Sequence, residues 1–445
     1  MNDTICALST APGGALGIIR ISGPQSLEIL SHVFTKDLTS AQPNTIHYGH
    51  IVETSNIIDE VMVSVFKAPH SYTGENSAEI SCHGSRYILN KVLQLLIANG
   101  CRMAEPGEFT KRAYLNGKMD LSQAEAVADL IASTNRATHD IALSQLRGHF
   151  STDLSRLRDQ LLKLTSLLEL ELDFSDHEDL EFADRGELIE LAKTIDNRIT
   201  HLAHSFKLGQ VLKQGIPVAI VGKTNVGKST LLNRLLKDER AIVSDIHGTT
   251  RDTIEDTIDI HGVTFRFIDT AGIRQTTDQV EQIGISRTYA AIERAHIILW
   301  ILDEEPSQEE VKEIQERCED KSLIIIQNKI DKNKASFHSH IKISAKNGEG
   351  IDALEQAIYQ AAHIPDFTEN DIIVTNARHY EALSRAHAHL QRVLKGLGSS
   401  DSQLPPDLVA EDLRLTLDTL SEITGGQITP NEVLGNIFEH FCVGK

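Results

Sequence analysis

Short apolar runs divided by turn-forming residues open the chain. Leu16-Gly17-Ile18-Ile19 and Val61-Met62-Val63 alternate with Pro12-Gly13-Gly14 and Ser22-Gly23-Pro24, so residues 1–119 read as a small mixed α/β domain. From residue 120 the texture changes to long stretches poor in Gly and Pro and rich in Leu, Ala and Glu. Leu154, Leu157, Leu161, Leu164 and Leu168 recur at a three/four spacing that puts them on one helix face. That stripe predicts a helical bundle, with 120–212 as its first segment. The acidic residues Asp173, Asp176, Glu178 and Asp179 interrupt it and read as a solvated helix end or loop. Over 213–368 the apolar runs become continuous: Val218-Ala219-Ile220-Val221, Ile297 to Leu302 and Leu323 to Gln327. Strands of that kind belong to a mostly parallel sheet covered on both faces. Helical texture returns over 369–445, where Leu383, Leu390 and Leu394, then Leu413, Leu417 and Leu420, mark apolar faces. The pattern therefore predicts a multi-domain α/β plus all-α chain: a small α/β domain, then a helical bundle domain into which a parallel-sheet domain is inserted. No internal repeat at solenoid periods is present.

Composition narrows the class. With 445 residues, 40% of them hydrophobic, there is material for two or three domains. The 28 Gly, 11 Pro and 5 Cys exclude collagen-like, disordered and disulfide-scaffold classes. Cys6, Cys82, Cys101, Cys318 and Cys442 form no CxxC pair, which fits a reducing, cytoplasmic location and argues against a zinc knuckle. No run of 18 apolar residues and no leader-like start appear, so no membrane is expected. The formal charge of −20 excludes a broad grip on phosphate backbone, so any nucleic-acid contact needs a local basic patch or a partner.

Chemistry first becomes specific at Gly222-Lys223-Thr224-Asn225-Val226-Gly227-Lys228-Ser229, a GxxxxGK[ST] string directly after an apolar strand. Its glycines let backbone N–H groups curl around phosphate oxygens, Lys228 supplies a cation to the β/γ-phosphates, and Ser229 offers a hydroxyl to Mg2+. Downstream, Gly248-Thr249-Thr250 places Thr250 as a second Mg2+ ligand. Asp269-Thr270-Ala271-Gly272 then ends the strand Thr264 to Ile268. Asp269 can approach the metal through water, and the Gly272 N–H can meet the γ-phosphate. Asn328-Lys329-Ile330-Asp331 supplies a carboxylate that accepts two hydrogen bonds from guanine and not from adenine. Ser344-Ala345-Lys346 backs the base. Four strings in this order make a P-loop GTPase of the translation-factor-like class. The expected GTP contacts are Asn225, Val226, Gly227, Lys228, Ser229, Thr230, Ser244, Asp245, Ile246, His247, Gly248, Thr249, Thr250, Asp269, Thr270, Ala271, Gly272, Asn328, Lys329, Asp331, Ser344, Ala345 and Lys346. Ile273 stands where many GTPases carry a water-orienting Gln, so another group must activate the water. Glu281 is a nearby candidate, although read alone it is more readily a surface glutamate at the start of a helix.

Further strings lie outside that domain: Gly17-Ile18-Ile19-Arg20-Ile21-Ser22-Gly23, Ser71-Tyr72-Thr73-Gly74-Glu75, Glu79-Ile80-Ser81-Cys82-His83-Gly84, Pro106-Gly107-Glu108-Phe109-Thr110-Lys111-Arg112-Ala113, Leu115-Asn116-Gly117-Lys118, and the end Phe441-Cys442-Val443-Gly444-Lys445. With these the whole chain, residues 1 to 445, resembles the tRNA-modification GTPase family known as MnmE or TrmE. The resemblance implies an N-terminal tetrahydrofolate-binding, dimerising domain over 1–119, a helical domain from 120–212 and 369–445, and an inserted G domain over 213–368. It implies a homodimer that works with an FAD-containing partner of the MnmG/GidA type in a hetero-oligomer. Together they place an aminomethyl or carboxymethylaminomethyl group on C5 of wobble uridine in certain tRNAs. The one-carbon unit comes from a 5,10-methylene or 5-formyl tetrahydrofolate.

By the same resemblance the folate would be bound by Arg20, Glu79, Lys118 and Lys445; read singly, each is an ordinary surface ion-pair residue. Cys442 matches the family's proposed functional thiol, with a small apolar filler as the other reading. K+ would be held by Asn225, Ser244, Ile246 and Thr249 when two G domains meet, taking the electrostatic role of a guanidinium, and Glu281 would position water. Catalysis would thus fall to Glu281, Lys228 and Cys442. The alternative is a regulatory P-loop GTPase acting as an RNA- or ribosome-associated switch, which has no use for the folate-type strings or the Cys-x-Gly-Lys end.

Overall fold

The structure is a computed structural model. It describes residues 2–173, 185–238, 256–268, 289–332, 339–365, 371–398, 406–426, 434, 437–439 and 441–444. The chain forms two compact units. One comprises Met1–Ala132, Ala142–His201 and Arg378–Lys445; the other comprises Ser133–Ile141 and Leu202–Ala377.

The first unit opens with six strands: β1 (Ile5–Leu8), β2 (Leu16–Ser22), β3 (Thr45–Glu53), β4 (Asn56–Phe66), β5 (Ser77–His83) and β6 (Arg102–Met103). They form one sheet in the order β3-β4-β5-β2-β1-β6. Alternate residues face a core: Ile19, Ile21, Val61, Val63, Val65 and Ile80 pack with Leu30 of α1 (Ser26–Val33) and Leu89, Val92 and Leu96 of α2 (Arg86–Ala98). The other face carries Arg20, Glu79, Tyr48 and Met62, in register as Arg20↔Glu79 and Tyr48↔Met62. Helix α3 (Glu108–Leu115) buries an ion network: Arg112, 1% exposed, donates to Glu108, Glu75 and Asp3.

Helices α4 (Leu121–Ala132), α5 (Arg136–Leu146), α6 (His149–Asp173) and α7 (Arg185–Gln214) follow. On α6 the leucine stripe is buried throughout, each residue at most 3% exposed.

The second unit carries β7 (Ile216–Val221), α8 (Lys228–Asp238), β8 (Asp256–Ile260), β9 (Val263–Phe267), β10 (Ile297–Leu302), α9 (Gln308–Arg317), β11 (Ser322–Gln327), β12 (Ile341–Lys342) and α10 (Ile351–Ala361). Its sheet runs β12-β11-β10-β7-β9-β8, parallel except for the β8–β9 hairpin. Successive residues of β7 and β10 serve two cores, Val218, Ile220, Leu299 and Ile301 on one face and Ala219, Val221, Ile298 and Trp300 on the other. That is the physical reason for their continuous apolar runs. The unit's chain ends meet: Val374 N–H donates to Ser205 Oγ at 3.0 Å and Gln210 Nε2 to Thr375 O at 2.9 Å. A Cβ on Gly209 would stand 2.2 Å from Val374 O. A domain that leaves and returns at one place can be inserted into a helical chain.

The chain then completes the first unit with α11 (Ala377–Gly398) and α12 (Pro406–Thr424); α12 packs against α6 and α4. Leu383, Leu390, Leu413 and Leu420 are buried, while Leu394 and Leu417 are half-buried. Arg378 and His379 both donate to Glu125 of α4, at 2.8 and 2.6 Å to Oε2. Burial alone would raise the Glu125 carboxyl. The hydrogen bond from His379 and the charge of Arg378 overcome it and hold the pKa down at about 2. This carboxylate therefore stabilises the fold fully above its unfolded pKa near 4.5, and that contribution is lost as pH falls from there through about 2. Glu125→Ala leaves the buried His379 without its acceptor, while the partly exposed Arg378 keeps the carbonyls of Glu422 and Ile423, and thermal unfolding at pH 7 is expected to show a loss of about 1–3 kcal/mol. The gap to wild type should narrow below pH 4.

Candidate functional site

Strand β7 runs straight into the phosphate-type loop. Gly222 has φ +148° and a Cβ there would lie 2.4 Å from Ile301 O. Gly227 has φ +104° and a Cβ there would lie 2.3 Å from Asn328 Nδ2. Only glycine fits both positions. Asn225, at φ +64°, turns the loop between them, and Val226 is buried in the core of the unit. Lys228 opens α8 and folds back over the loop, its Nζ donating to Gly222 O at 2.6 Å and Lys223 O at 2.7 Å. Burial pushes the Lys228 ammonium pKa down. A desolvated cation that, among the described residues, is held by carbonyl dipoles at the head of a helix is a seat for an anion. Ser229 and Thr230 follow it in the first turn of α8.

The far side of the site is built by the ends of β11 and β12. Asn328, 3% exposed, donates through Nδ2 to Val226 O at 2.7 Å and accepts the Ala345 N–H on Oδ1 at 3.0 Å. One amide thus ties the phosphate-type loop to Ser344-Ala345-Lys346. Asp331 accepts from Ser344 Oγ at 2.8 Å. Lys329, at φ +62°, donates to Asp303 Oδ2 at 2.7 Å, and Arg234 of α8 donates to Lys346 O. These loops gather at the carboxyl edge of the parallel sheet, where such folds place their ligands.

Ser244, Asp245, Ile246, His247, Gly248, Thr249, Thr250, Asp269, Thr270, Ala271, Gly272, Ile273, Glu281 and Lys445 lie outside the described residues, as does most of the acidic stretch after α6.

In the first unit a second constellation forms on the open sheet face. Arg20 donates through Nε and Nη2 to Glu79 Oε1, at 3.0 and 2.7 Å, and through Nη1 to the carbonyl of Gly444 at 3.3 Å. Its guanidinium lies 5.3 Å from the centre of the Tyr72 ring and 5.6 Å from that of Phe109. Arg20, Glu79, Tyr72, Thr73, Phe66 and Ser77 line a small cavity. Lys118 donates to Pro69 O, at the other end of the loop that supplies Tyr72, and makes no ion pair with Glu79.

The C-terminal tail reaches this place because Phe438 and Phe441 pack with Leu121 and Ala124, and Val443 pairs with Pro106. Gly107, at φ +66°, leaves room for Phe438 and Phe441, and its N–H meets Cys442 O. Cys442 itself is exposed. Three partners were not read from the sequence: the rings on Arg20, the Gly444 carbonyl and the bridging role of Asn328. Only the Glu108–Arg112 pair, four apart on a helix, left a legible signal.

Two family models match. The one described as GTP-binding protein TrmE N-terminus covers residues 4–118, and the one described as MnmE helical domain covers 121–442. A tRNA modification GTPase MnmE of Bacteroides thetaiotaomicron is 54% identical across 100% of this chain and 99% of that protein. The chain belongs to the MnmE family. Another MnmE, from Flavobacterium psychrophilum, is 49% identical across 100% of this chain and 99% of its own. Among solved structures, the G domain of the T. maritima FeoB iron transporter matches 33% of this chain at 23% identity with a TM-score of 0.25. That is too low to carry the fold, which rests on the sheet order and loop geometry above. The phosphate-type loop thus depends on a residue far from it in sequence. Asn328→Ala strands the Val226 carbonyl and the Ala345 N–H, so it is expected to cost about 1–3 kcal/mol in thermal unfolding. It should also weaken GDP binding, measured by fluorescence titration, at least tenfold.

Proposed function

We propose that this chain is the GTP-hydrolysing subunit of a tRNA-modifying enzyme. It adds an aminomethyl or carboxymethylaminomethyl group to C5 of wobble uridine with a one-carbon unit from a 5,10-methylene or 5-formyl tetrahydrofolate. The observation that carries the folate half is the C-terminal tail, whose Gly444 carbonyl sits on the Arg20–Glu79 pair. Both bonds from Arg20 to Glu79 go to Oε1, so among the described residues Oε2 stays open to accept from the N–H edge of a pterin. Tyr72 lines the same cavity and offers a ring face, while the buried Phe109 ring packs against the Arg20 guanidinium. Lys118 and Lys445 would hold the glutamyl carboxylates, and Cys442, exposed next to the tail's anchor, is the candidate thiol.

The phosphate-type loop fits GTP on the same terms. Lys228 already lies on two carbonyls at the head of α8, Ser229 would offer its hydroxyl to Mg2+, and Asp331 would accept from the guanine edge. Bound Mg2+ and K+ would neutralise charge developing on the phosphates. Thr250 would complete the Mg2+ site; Asn225, Ser244, Ile246 and Thr249 would hold K+, and Glu281 would orient water. Residues 1–119 serve as the folate and dimer domain, 120–212 with 369–445 as the helical domain, and 213–368 as the G domain.

A homodimer is supported by Ile46, Tyr48, Ile57 and Met62, large apolar residues exposed on the edge hairpin β3–β4. An FAD-containing partner of the MnmG/GidA type supplies the redox chemistry and much of the tRNA surface that an acidic chain lacks. No described helix is long and apolar enough to cross a membrane, and the cytoplasm is the proposed location. Calorimetry with 5-formyltetrahydrofolate tests the folate site: wild type should bind, and Glu79→Gln should lose at least tenfold in affinity while GTP hydrolysis is unchanged. Equal binding by Glu79→Gln would move the folate elsewhere.

A further inference from the structure

Residues 133–141 precede the second unit's main segment by some sixty positions, yet they pack within it. What they grip is the β8–β9 hairpin. Ala137 N–H donates to Gly262 O at 2.9 Å, at the tip. Asn135 Nδ2 donates to Thr264 Oγ1 of β9 at 2.7 Å, while its Oδ1 accepts the Thr138 N–H at 2.8 Å in the first turn of α5. Both ends of the Asn135 amide are therefore used, one on the hairpin and one on the helix. Gly262, at φ +82°, has Arg136 Cβ 2.9 Å from where its own Cβ would stand, so a side chain there would strike the Arg136 side chain. Ala137 and Ile141, each 6% exposed, enter the same core as Ile258, Ile260, Val263 and Phe265 of the hairpin. A backbone bond, a side-chain bond and apolar packing thus hold one short segment to one hairpin.

The hairpin's place in the chain gives this clip its meaning. It is the stretch between the segment ending in Thr250 and the one beginning at Asp269, the two switch segments of the GTPase reading. Helix α5 starts on the hairpin and ends at Leu146, whose residues from Ala142 onward belong to the first unit. We infer that the Asn135–Thr264 and Ala137–Gly262 bonds form a relay that passes the nucleotide state from the interswitch hairpin into helix α5, with Asn135 and Thr264 as positioning residues. A two-state element that both sites bias is what such coupling requires, and the inference rests on the proposed GTPase activity of the second unit. Helix α5 is continuous from Arg136 to Leu146, so a change at its first turn has a hydrogen-bonded path along the helix.

The test is hydrogen exchange of peptides from residues 136–146 in the full chain, compared between GDP and a non-hydrolysable GTP analogue, with GTP hydrolysis measured on the same preparations. Wild type should show nucleotide-dependent protection of α5. Thr264→Val keeps the strand's shape and the helix-side bond of Asn135, so it should retain hydrolysis and lose that dependence; Asn135→Ala should do the same. The double variant should add nothing further, as partners in one bond behave. Equal protection of α5 in both nucleotide states of wild type, or an undiminished difference in Thr264→Val, would overturn the relay. A wild-type protein that hydrolyses no GTP would instead contradict the functional reading on which the relay stands.

Discussion

One buried amide organises the second unit. Asn328 spends its donor on the Val226 carbonyl and its acceptor on the Ala345 N–H, so three loops from separate parts of the sequence share a fixed point. Gly227 must lack a side chain because that amide lies where its Cβ would be. Asp331, bound by Ser344, and Lys228, folded onto Gly222 and Lys223, take their positions relative to this point. The parallel sheet beneath supplies rigidity: β7 and β10 are buried on both faces, and their carboxyl ends cannot drift.

The same chain solves two problems of connectivity. Inserting a domain into a helical bundle requires its ends to coincide, and the close approach of Gly209 to Val374 shows how closely they do. Bringing the C-terminus back to residues near the N-terminus requires an anchor, which Phe438 and Phe441 provide against Leu121 and Ala124. Gly444, at φ +94° with Leu8 O 2.4 Å from where a Cβ would stand, then lies flat enough for its carbonyl to reach Arg20. Sites in both units are thus made from sequence-distant pieces joined by main-chain groups.

That explains what was legible in the sequence. The α6 leucine stripe and the continuous runs of β7, β10 and β11 are local periodicities that burial imposes directly, so they read correctly. The phosphate-type loop reads correctly because its glycines answer a backbone demand within eight residues. The attachment of residues 133–141 to the β8–β9 hairpin left no comparable mark, since its signals are one asparagine and two small apolar contacts without a period. Nor could the Gly444 carbonyl be read, because a main-chain acceptor has no side-chain identity. Arg112 looked like part of a family signature; the structure shows it as the buried hub of an ion network with Asp3, Glu75 and Glu108.

The most direct measurement is nucleoside mass spectrometry of total tRNA from cells lacking this chain and from the same cells with the intact gene restored. If the two sites serve one reaction, C5-aminomethyl-type wobble uridines should vanish in the first and return in the second. An unchanged nucleoside profile would contradict the central claim and leave a GTPase whose work lies elsewhere.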